Sequence, residues 1–319
     1  MRLKVLFHDN CFDGTASAAL FTRFYREKVS ADVEFSYRGM HHGTGPVFPQ
    51  GTFDADEHAC VDFRYSPDPR LTWWFDHHIS AFITPADEAH FRANPSEQKF
   101  FDPTAPSCAG FLARVTREQL GFDTAPLAEL VHWAEIIDAA AFESPAQAVA
   151  LAEPALKLMT WIENNKDNAL TERYIGRLAA GDSLAALAAE PWVTEPLAPI
   201  LAMHDRAVDT LRRRIEVDRG VITFDLIDDD LPTYNKFIPY FLHPEAKFLV
   251  GLSRAPGRIK IFAGTNPWLP RPPVNIARIC ERYGGGGHPV VGAVSIPEPQ
   301  AERARQIAAE MAAELKESA

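Results

Sequence analysis

The sequence predicts an α/β protein with a mostly parallel, Rossmann-like sheet in its N-terminal domain and a smaller α+β domain at its C-terminus. Short apolar runs alternate with helical patterns up to about residue 145, an alanine- and leucine-rich stretch follows to about residue 216, and short strand patterns prevail from Gly220. Strand–helix alternation is typical of a parallel sheet covered by helices on both faces. We therefore expect a domain over 1–150, a helical region and linker over 151–218, and a C-terminal domain over 219–319.

Hydrophobic periodicity predicts the elements of the first domain. A helix is predicted where Ala16, Leu20, Phe21 and Phe24 recur at helical spacing, and a second where Ser107 can cap a segment that ends near Gly121. Apolar residues at helical spacing predict a third helix over Leu127–Ile137. The strands are predicted over Leu3–Phe7, Val33–Tyr37, Ala59–Phe63 and Leu71–Phe75.

The charged segment Asp205–Glu216 is interpreted as a connecting helix that leads into the second domain. Two helices are predicted beyond it, one over Val274–Tyr283 and one at the C-terminus. The strands are predicted over Val221–Leu226, Lys247–Leu252, Arg258–Phe262 and Val291–Ile296. This mixture predicts an α+β domain.

Composition and charge exclude several classes of protein. Of 319 residues, 46% are hydrophobic and 24% are charged, which is ordinary for a globular protein. The four cysteines lack CxxC spacing, so neither a disulfide framework nor a zinc ribbon is expected. A net charge of −11 argues against a long duplex as a partner. We expect a cytoplasmic protein without a secretory signal or membrane span; a homodimer is left open.

Residues that bind metals follow the predicted strands. Asp62 within an apolar strand is the hardest to explain by structure alone, because a buried carboxylate needs a partner or a cation. His8 alone would be interpreted as a histidine at a strand end, and Asp13-Gly14 as a turn or helix cap. The carboxyl ends of parallel strands meet at one edge. The full set is His8 and Asp13 after the first strand, Asp62 in the third, Asp76, His77 and His78 after the fourth, and Asp138 at a helix end.

The motifs HDNCFDG, VDF, FDHHIS and EIIDAA, followed by GGGGHPVVGAVS, resemble those of the DHH phosphoesterase superfamily. That superfamily includes RecJ-like exonucleases, nanoRNases and cyclic-dinucleotide phosphodiesterases. The resemblance covers nearly the whole chain, in the order of the family's motifs. It implies a metal-dependent phosphoesterase whose active site lies in the cleft between two domains.

The resemblance also implies a role for each residue. The metal ligands would be His8, Asp13, Asp62, His77 and Asp138, with Asp62 bridging two ions. Asp76 would orient a ligand, and His78 would face the substrate phosphate. Imidazoles mixed with carboxylates suit two Mn²⁺ ions, with Mg²⁺ as the alternative.

The first motif departs from the family pattern. Cys11 occupies the position of an aspartate, so one site has one carboxylate fewer unless Asp9 or Asn10 replaces it. Cys11 and Cys60 each neighbour a proposed ligand, and core packing is the preferred interpretation of both thiols.

The glycine run Gly284–Gly287 and the following His288 form a second candidate site. From the glycines alone a flexible loop is the preferred interpretation, although such a run can also present backbone N–H groups to an anion. The resemblance implies that Gly286, Gly287 and His288 contact the substrate phosphate. Arg254 stands where such proteins have a phosphate-binding arginine, and Asn275 and Arg278 are weaker candidates.

The expected substrates are short nucleotide phosphodiesters or phosphomonoesters: oligoribonucleotides of a few units, linear or cyclic dinucleotides, or a 3′-phosphoadenosine type of molecule. A RecJ-like exonuclease acting on long single strands is one alternative. It would need a basic, aromatic track, and only the short run Arg212–Arg214 is basic. A non-catalytic nucleotide-binding regulatory protein is the other, because of the irregular first motif.

Overall fold

The computed structural model describes residues 1–41, 46–229, 231 and 233–318. The chain forms two compact units, the first made of Met1–Phe142 and Ala152–Leu197, the second of Glu143–Leu151 and Ala198–Ala319. This division differs from the predicted one, because most of the expected helical region belongs to the first unit. Helices of this region pack against the first helix of the chain.

The predicted strands and helices follow one another in the order that the sequence predicts. Up to residue 150 they are β1 (Arg2–His8), α1 (Phe12–Lys28), β2 (Glu34–Met40), β3 (Glu57–Val61), β4 (Leu71–Asp76), α2 (Pro85–Ala93), β5 (Lys99–Phe101), α3 (Cys108–Leu120), α4 (Ala128–Asp138) and α5 (Pro145–Ala150). Beyond it they are α6 (Pro154–Asn164), α7 (Asn168–Ala180), α8 (Leu184–Ala188), α9 (Pro191–Arg214), β6 (Glu216–Asp218), β7 (Val221–Leu226), α10 (Ile238–Leu242), β8 (Phe248–Ala255), β9 (Arg258–Thr265), α11 (Ile276–Glu281), β10 (Gly286–His288), β11 (Val291–Pro297) and α12 (Ala301–Glu317).

The first unit contains a five-stranded sheet in the order β2-β1-β3-β4-β5, and every pair in it is parallel. The chain passes from β1 to β2 on one side and then to β3 on the other. The strand order therefore reverses at β1, and in open α/β sheets ligands bind beyond the carboxyl ends of the strands at such a reversal.

Local signals define the helix α3. The Ser107 hydroxyl accepts a hydrogen bond from the Gly110 amide at 2.9 Å, and Gly121 ends the helix with a φ of 63°. A capping serine at the start and a left-handed glycine after the end are the usual signals for these boundaries. The predicted helix is confirmed at both ends.

Apolar side chains bury both faces of the first sheet. On one face Leu6, Cys60 and Trp74 pack with Phe63 and Tyr65. On the other face the aromatic rings of α1 contact Trp73 and Phe75. A parallel sheet covered on both faces needs such continuous apolar strands.

The third strand lies two residues earlier in the chain than the sequence predicts. It ends at Val61, and Asp62 follows it with a φ of 56°. The prediction that Asp62 lies within the strand is therefore wrong, because Asp62 is the first residue of the loop. A left-handed backbone ends the ladder and turns the chain across the sheet edge.

The second unit contains a six-stranded mixed sheet in the order β10-β11-β9-β8-β7-β6. Only β7 and β8 are parallel, and the other pairs are antiparallel. One face packs on α11 and α12 through residues such as Ile279 and Met311. The other face packs on α5, α10 and the end of α9 through Val149, Tyr240 and Leu211. The predicted α+β character is confirmed.

Across the part of the chain that the structure describes, no helix combines the length and the apolar character that crossing a bilayer requires.

Candidate metal centre

Three adjacent strands bring their carboxyl ends to one edge of the first sheet. β1 ends in His8, β3 is followed by Asp62, and β4 ends in Asp76. Because β3 lies between β1 and β4, Asp62 stands between side chains that are far apart in the sequence.

A glycine lets α1 begin directly against the end of β1. A Cβ added to Gly14 would lie 2.1 Å from the His8 carbonyl oxygen, which no real side chain tolerates. The close approach brings the first motif to the strand end, where Cys11 shares a donor group with His8. Only a residue without a Cβ fits at this position, which explains the glycine of the first motif.

Asp62 is the centre of the cluster. Its Oδ2 lies 3.4 Å from His8 Nδ1, and its Oδ1 lies 3.5 Å from His77 Nε2 and 3.7 Å from His78 Nδ1. The residue is 1% exposed, and no described group reaches either oxygen with hydrogen-bond geometry. A buried carboxylate without hydrogen bonds is costly unless a cation compensates it.

A second group of donors lies around His77. Its Nε2 lies 3.3 Å from Asp138 Oδ2 and 3.8 Å from Asp13 Oδ2. The opposite ring nitrogen, Nδ1, lies 2.9 Å from the Ala105 carbonyl oxygen. A carbonyl only accepts, so Nδ1 carries the proton and Nε2 is turned toward the carboxylates, as in a metal-binding histidine.

Asp13 also supports the helix α3. Its two oxygens accept hydrogen bonds from the backbone amides of Cys108 at 2.6 Å and Ala109 at 2.9 Å. These are orphan donors of the first helical turn, where a negative charge is favourable. The bonds fix the carboxylate in a single orientation.

Asp76 positions the Asp-His-His segment. Its Oδ1 accepts hydrogen bonds from the His77 amide at 2.8 Å, the His78 amide at 3.2 Å and His78 Nδ1 at 2.8 Å. Asp76 is fully buried. The arrangement fits the orienting role that the resemblance implies for Asp76.

The imidazoles and carboxylates shift one another's pKa values. Burial raises the pKa of Asp62, but the neighbouring imidazoles of His77, His8 and His78 outweigh it and hold the pKa at about 2. Burial opposes a charge on His77, yet Asp62 and the Ala105 carbonyl raise its pKa to about 10.

The outer carboxylates show the opposite behaviour. Burial, together with the charges of Asp62 and Asp138, raises the pKa of Asp13 well above its usual range. Burial and Asp62 also raise the pKa of Asp138. Without a cation these carboxylates repel one another, and a bound cation would relieve that repulsion.

The donors form three groups that suit a divalent cation. In each, one donor atom per residue lies within 4.8 Å of the others: His8, Cys11 and Asp62; Asp62, His77 and His78; and Asp13, His77 and Asp138. Asp62 and His77 each belong to two groups, as expected of neighbouring cation sites. The orphaned oxygens of Asp62 and the hydrogen-bonded His77 fit divalent cations.

The structure thus brings together all five predicted ligands, and Asp76 and His78 with them. The sequence analysis missed two contributions. Cys11 belongs to a donor group, contrary to the preferred interpretation of core packing, although its place in the motif was a signal. The Ala105 carbonyl and the amides of Cys108 and Ala109 are backbone groups, which no residue type reveals.

Arg254 and His288 lie at different levels of the second sheet. His288 pairs with Val291, which is in register with Gly264 and, one strand further, with Leu249. Arg254 stands five residues beyond Leu249 on β8, about 17 Å along the strand. The expectation that Arg254 and His288 hold the same phosphate is therefore corrected.

Arg254 also has partners of its own. Its Nε donates to the Ile227 carbonyl oxygen at 2.9 Å, and its guanidinium pairs with Glu298 and, at 3.8 Å, with Asp228. These contacts explain the arginine as a link between the end of β8 and the neighbouring loops.

The second half of the glycine run belongs to a strand, whereas the glycines alone suggest a loop. Residues Gly286–His288 form β10. A Cβ added to Gly285 would lie 2.2 Å from the Ala293 carbonyl oxygen, and one on Gly287 would lie 2.3 Å from that of Val291. Close packing of β10 on β11 requires these two glycines, whereas Gly286 has open space around it. His288 is exposed.

Comparison with known proteins identifies the fold. No protein-family model and no curated protein sequence matches the chain. Among solved structures, the pGpG-specific phosphodiesterase PggH from Vibrio cholerae is similar over 97% of this chain and 99% of its own, with a TM-score of 0.66 and 21% identity. The DHH domain of a member of the s1p family of ribosomal proteins is similar over 97% of this chain and 86% of its own, with a TM-score of 0.57 and 14% identity. The strand-end cluster and these likenesses lead to one conclusion: the chain has the fold of the DHH phosphoesterase superfamily.

Proposed function

We propose that the chain is a metal-dependent phosphoesterase that hydrolyses short nucleotide phosphodiesters, with linear dinucleotides as the first candidates. The observation that carries the proposal is Asp62, a buried carboxylate without hydrogen bonds that lies between His8 and His77. Bound cations would stabilise a carboxylate in this position. Two neighbouring divalent cations catalyse phosphoryl transfer in many enzymes.

The side chains have distinct tasks in this proposal. His8, Asp13, Asp62, His77 and Asp138 hold two divalent cations, for which Mn²⁺ is the first candidate and Mg²⁺ the second. When bound, such cations lower the pKa of a water molecule and neutralise charge on phosphoryl oxygens.

His78 is the residue we assign to the developing charge. Asp76 accepts from its Nδ1, so this nitrogen carries a proton. The hydrogen bond to Asp76 raises the pKa of His78, burial lowers it, and the net shift is upward. A cationic ring can donate its Nε2–H to a phosphoryl oxygen as negative charge grows in the transition state.

Two observations favour a short substrate. PggH, which is similar over nearly the whole chain, is by its name specific for pGpG. The net charge of −11 disfavours a long polyanion, whose binding depends on many cationic contacts. We propose that Gly286, Gly287 and His288 of the second unit hold a non-reacting phosphate.

Turnover on a substrate panel tests the proposal. Metal-free protein is given Mn²⁺ with pGpG, pApA, pAp, a cyclic dinucleotide, a long single-stranded oligomer and bis-p-nitrophenyl phosphate. We expect hydrolysis of the linear dinucleotides, dependence on the added cation, and loss of turnover in Asp62→Asn. The exposed Asp32→Asn, which removes the same charge, is the matched control and should retain full activity.

Two results would refute it. Faster turnover of the long oligomer would support a single-strand exonuclease instead. Tight nucleotide binding without turnover, with any of the cations, would support the regulatory alternative.

A further inference from the structure

Cys11 differs from the other three cysteines of the chain. Cys60, Cys108 and Cys280 are fully buried within the cores of their units. The thiols of Cys60 and Cys108 lie within 3.9 Å of backbone carbonyl oxygens, so packing explains them. Cys11 is only partly buried and occupies the N-cap position of α1. A thiolate is the form of cysteine that binds metals.

The Cys11 sulfur shares a donor group with His8 and Asp62. One donor atom of each residue lies within 4.8 Å of the other two. Asp62 supplies independent evidence for a cation here, because it is 1% exposed and both its oxygens lack hydrogen bonds. The group contains one imidazole, one carboxylate and one sulfur.

The two residues that could have replaced the missing carboxylate point elsewhere. Asp9 accepts from the Asn10 amide at 2.8 Å, and its other oxygen lies 3.1 Å from His41 Nε2. The Asn10 side chain donates to two backbone carbonyls at the end of α6, at 3.1 and 3.0 Å. Asp9 belongs to no donor group among the described residues. Cys11 therefore fills the position that is an aspartate in the family pattern.

We propose that Cys11 binds a cation as a thiolate, together with His8 and Asp62, and that this site selects a borderline ion such as Fe²⁺, Co²⁺ or Zn²⁺ over Mg²⁺. The inference rests on the proposed function, because it concerns one of the two cation sites. Thiolate ligands favour softer metals, whereas carboxylates and imidazoles also accept Mn²⁺ and Mg²⁺. The thiol proton passes to solvent when the metal binds. The two other donor groups contain no sulfur.

Cobalt spectroscopy tests the assignment without an activity assay. Metal-free protein is titrated with Co²⁺, and bound cobalt is measured by equilibrium dialysis. A sulfur-to-cobalt charge-transfer band in the near ultraviolet reports a thiolate ligand. We expect the band in the wild type and in the control Cys280→Ala, which removes a buried thiol of the other unit. The band should be absent in Cys11→Ser and Cys11→Asp.

Affinity and labelling supply two further measurements. Cys11→Ser should bind Co²⁺ at least about ten-fold more weakly, the lower end of the loss seen on removing a supporting group of a metal site. Cys11→Asp restores a carboxylate, so it should bind cations and shift its preference toward Mn²⁺ and Mg²⁺. Zn²⁺ should lower the rate at which iodoacetamide labels Cys11 in the native protein.

The outcomes separate this inference from the proposed function. Cobalt that binds to the wild type without the band, or a band that persists in Cys11→Ser, would refute Cys11 as a ligand and leave the phosphoesterase proposal in place. If neither Co²⁺ nor Mn²⁺ binds the wild type, both the inference and the metal-dependent function are refuted.

Discussion

At the scale of single residues, Asp62 combines a functional side chain with an unusual backbone. Its φ of 56° lies in the left-handed region, which costs most residues roughly 1–2 kcal/mol but which asparagine and glycine adopt readily. The same residue presents two buried oxygens to the cluster. Substitutions there test charge and backbone separately.

We expect Asp62→Asn, Asp62→Ala and Asp62→Gly all to lose activity but to differ in stability. Each should retain less than a tenth of the wild-type kcat, which corresponds to a loss of at least about 1.4 kcal/mol. In metal-free protein Asp62→Ala should be the least stable, by about 1 kcal/mol relative to Asp62→Gly. Urea unfolding in a chelator measures the difference. An alanine variant as stable as the glycine variant would contradict the left-handed backbone.

His58 is a buried histidine whose neutral form the structure requires. Its Nε2 accepts from the Ala55 amide at 3.0 Å, so Nδ1 carries the proton and donates to the Arg70 carbonyl at 3.2 Å. Burial, with the positive charges of Lys4 and Arg70, lowers the pKa of His58 below its ordinary value of 6.5; the Arg70 carbonyl and Asp54 oppose the shift.

This shift predicts a loss of stability in acid. The unfolded chain binds the proton at the ordinary pKa of about 6.5, and the folded protein binds it only at lower pH. The contribution of a neutral His58 is therefore complete above about pH 6.5 and is lost as the pH falls toward the folded pKa. The free energy of unfolding, measured with chelator near pH 7.5 and near pH 5, should fall less in His58→Gln than in the wild type. Equal falls would show that His58 does not contribute.

At the scale of elements, the contact between the start of α1 and the end of β1 builds the first motif. Gly14→Ala would place a Cβ 2.1 Å from the His8 carbonyl, so α1 would have to move away from β1. We expect a loss of about 1–3 kcal/mol in unfolding free energy. Metal affinity should also fall, because His8, Cys11 and Asp13 would no longer converge.

Gly176→Ala is the matched control for this change. Gly176 lies inside α7 with nothing within 4 Å of the added Cβ. It should stabilise the protein by about 0.5–1 kcal/mol, because alanine is the better helix former. Urea unfolding and calorimetric Mn²⁺ titration compare the two variants. If Gly14→Ala retained wild-type stability and metal affinity, the close approach would not be needed for the site.

At the scale of the whole molecule, the two candidate phosphate-binding residues of the second unit should behave differently. We expect His288→Ala to raise the KM for a linear dinucleotide roughly ten- to a hundred-fold, which matches the ~1.5–3 kcal/mol of a hydrogen bond to a charged group. KM reports contacts that hold the substrate equally in the ground state and the transition state. Arg254→Ala should change KM less than about two-fold, because the guanidinium of Arg254 already pairs with Glu298 and Asp228.

Bis-p-nitrophenyl phosphate provides the control substrate, because it has no distal phosphate. Both variants should cleave it at the wild-type rate. Equal losses on the two substrates in His288→Ala would place His288 in the reaction centre. An increase in KM with Arg254→Ala as large as with His288→Ala would restore the arginine as a phosphate ligand.

The sequence by itself determined the elements, because their signals are local. Alternating apolar runs predicted β1 to β4, and Ser107 and Gly121 predicted the ends of α3. The order of the motifs also predicted which side chains would gather, since carboxyl ends of parallel strands share an edge. Period, caps and turn residues act over a few positions, so they can be recognised without the fold.

Only the tertiary structure decided how these elements combine. The strand order placed Asp62 between His8 and His77, and the packing of α1 on β1 turned Cys11, rather than Asp9, toward the cluster. Strand register separated Arg254 from His288, although both belong to the same sheet. Register and packing depend on contacts between distant parts of the chain, and a local pattern does not contain them.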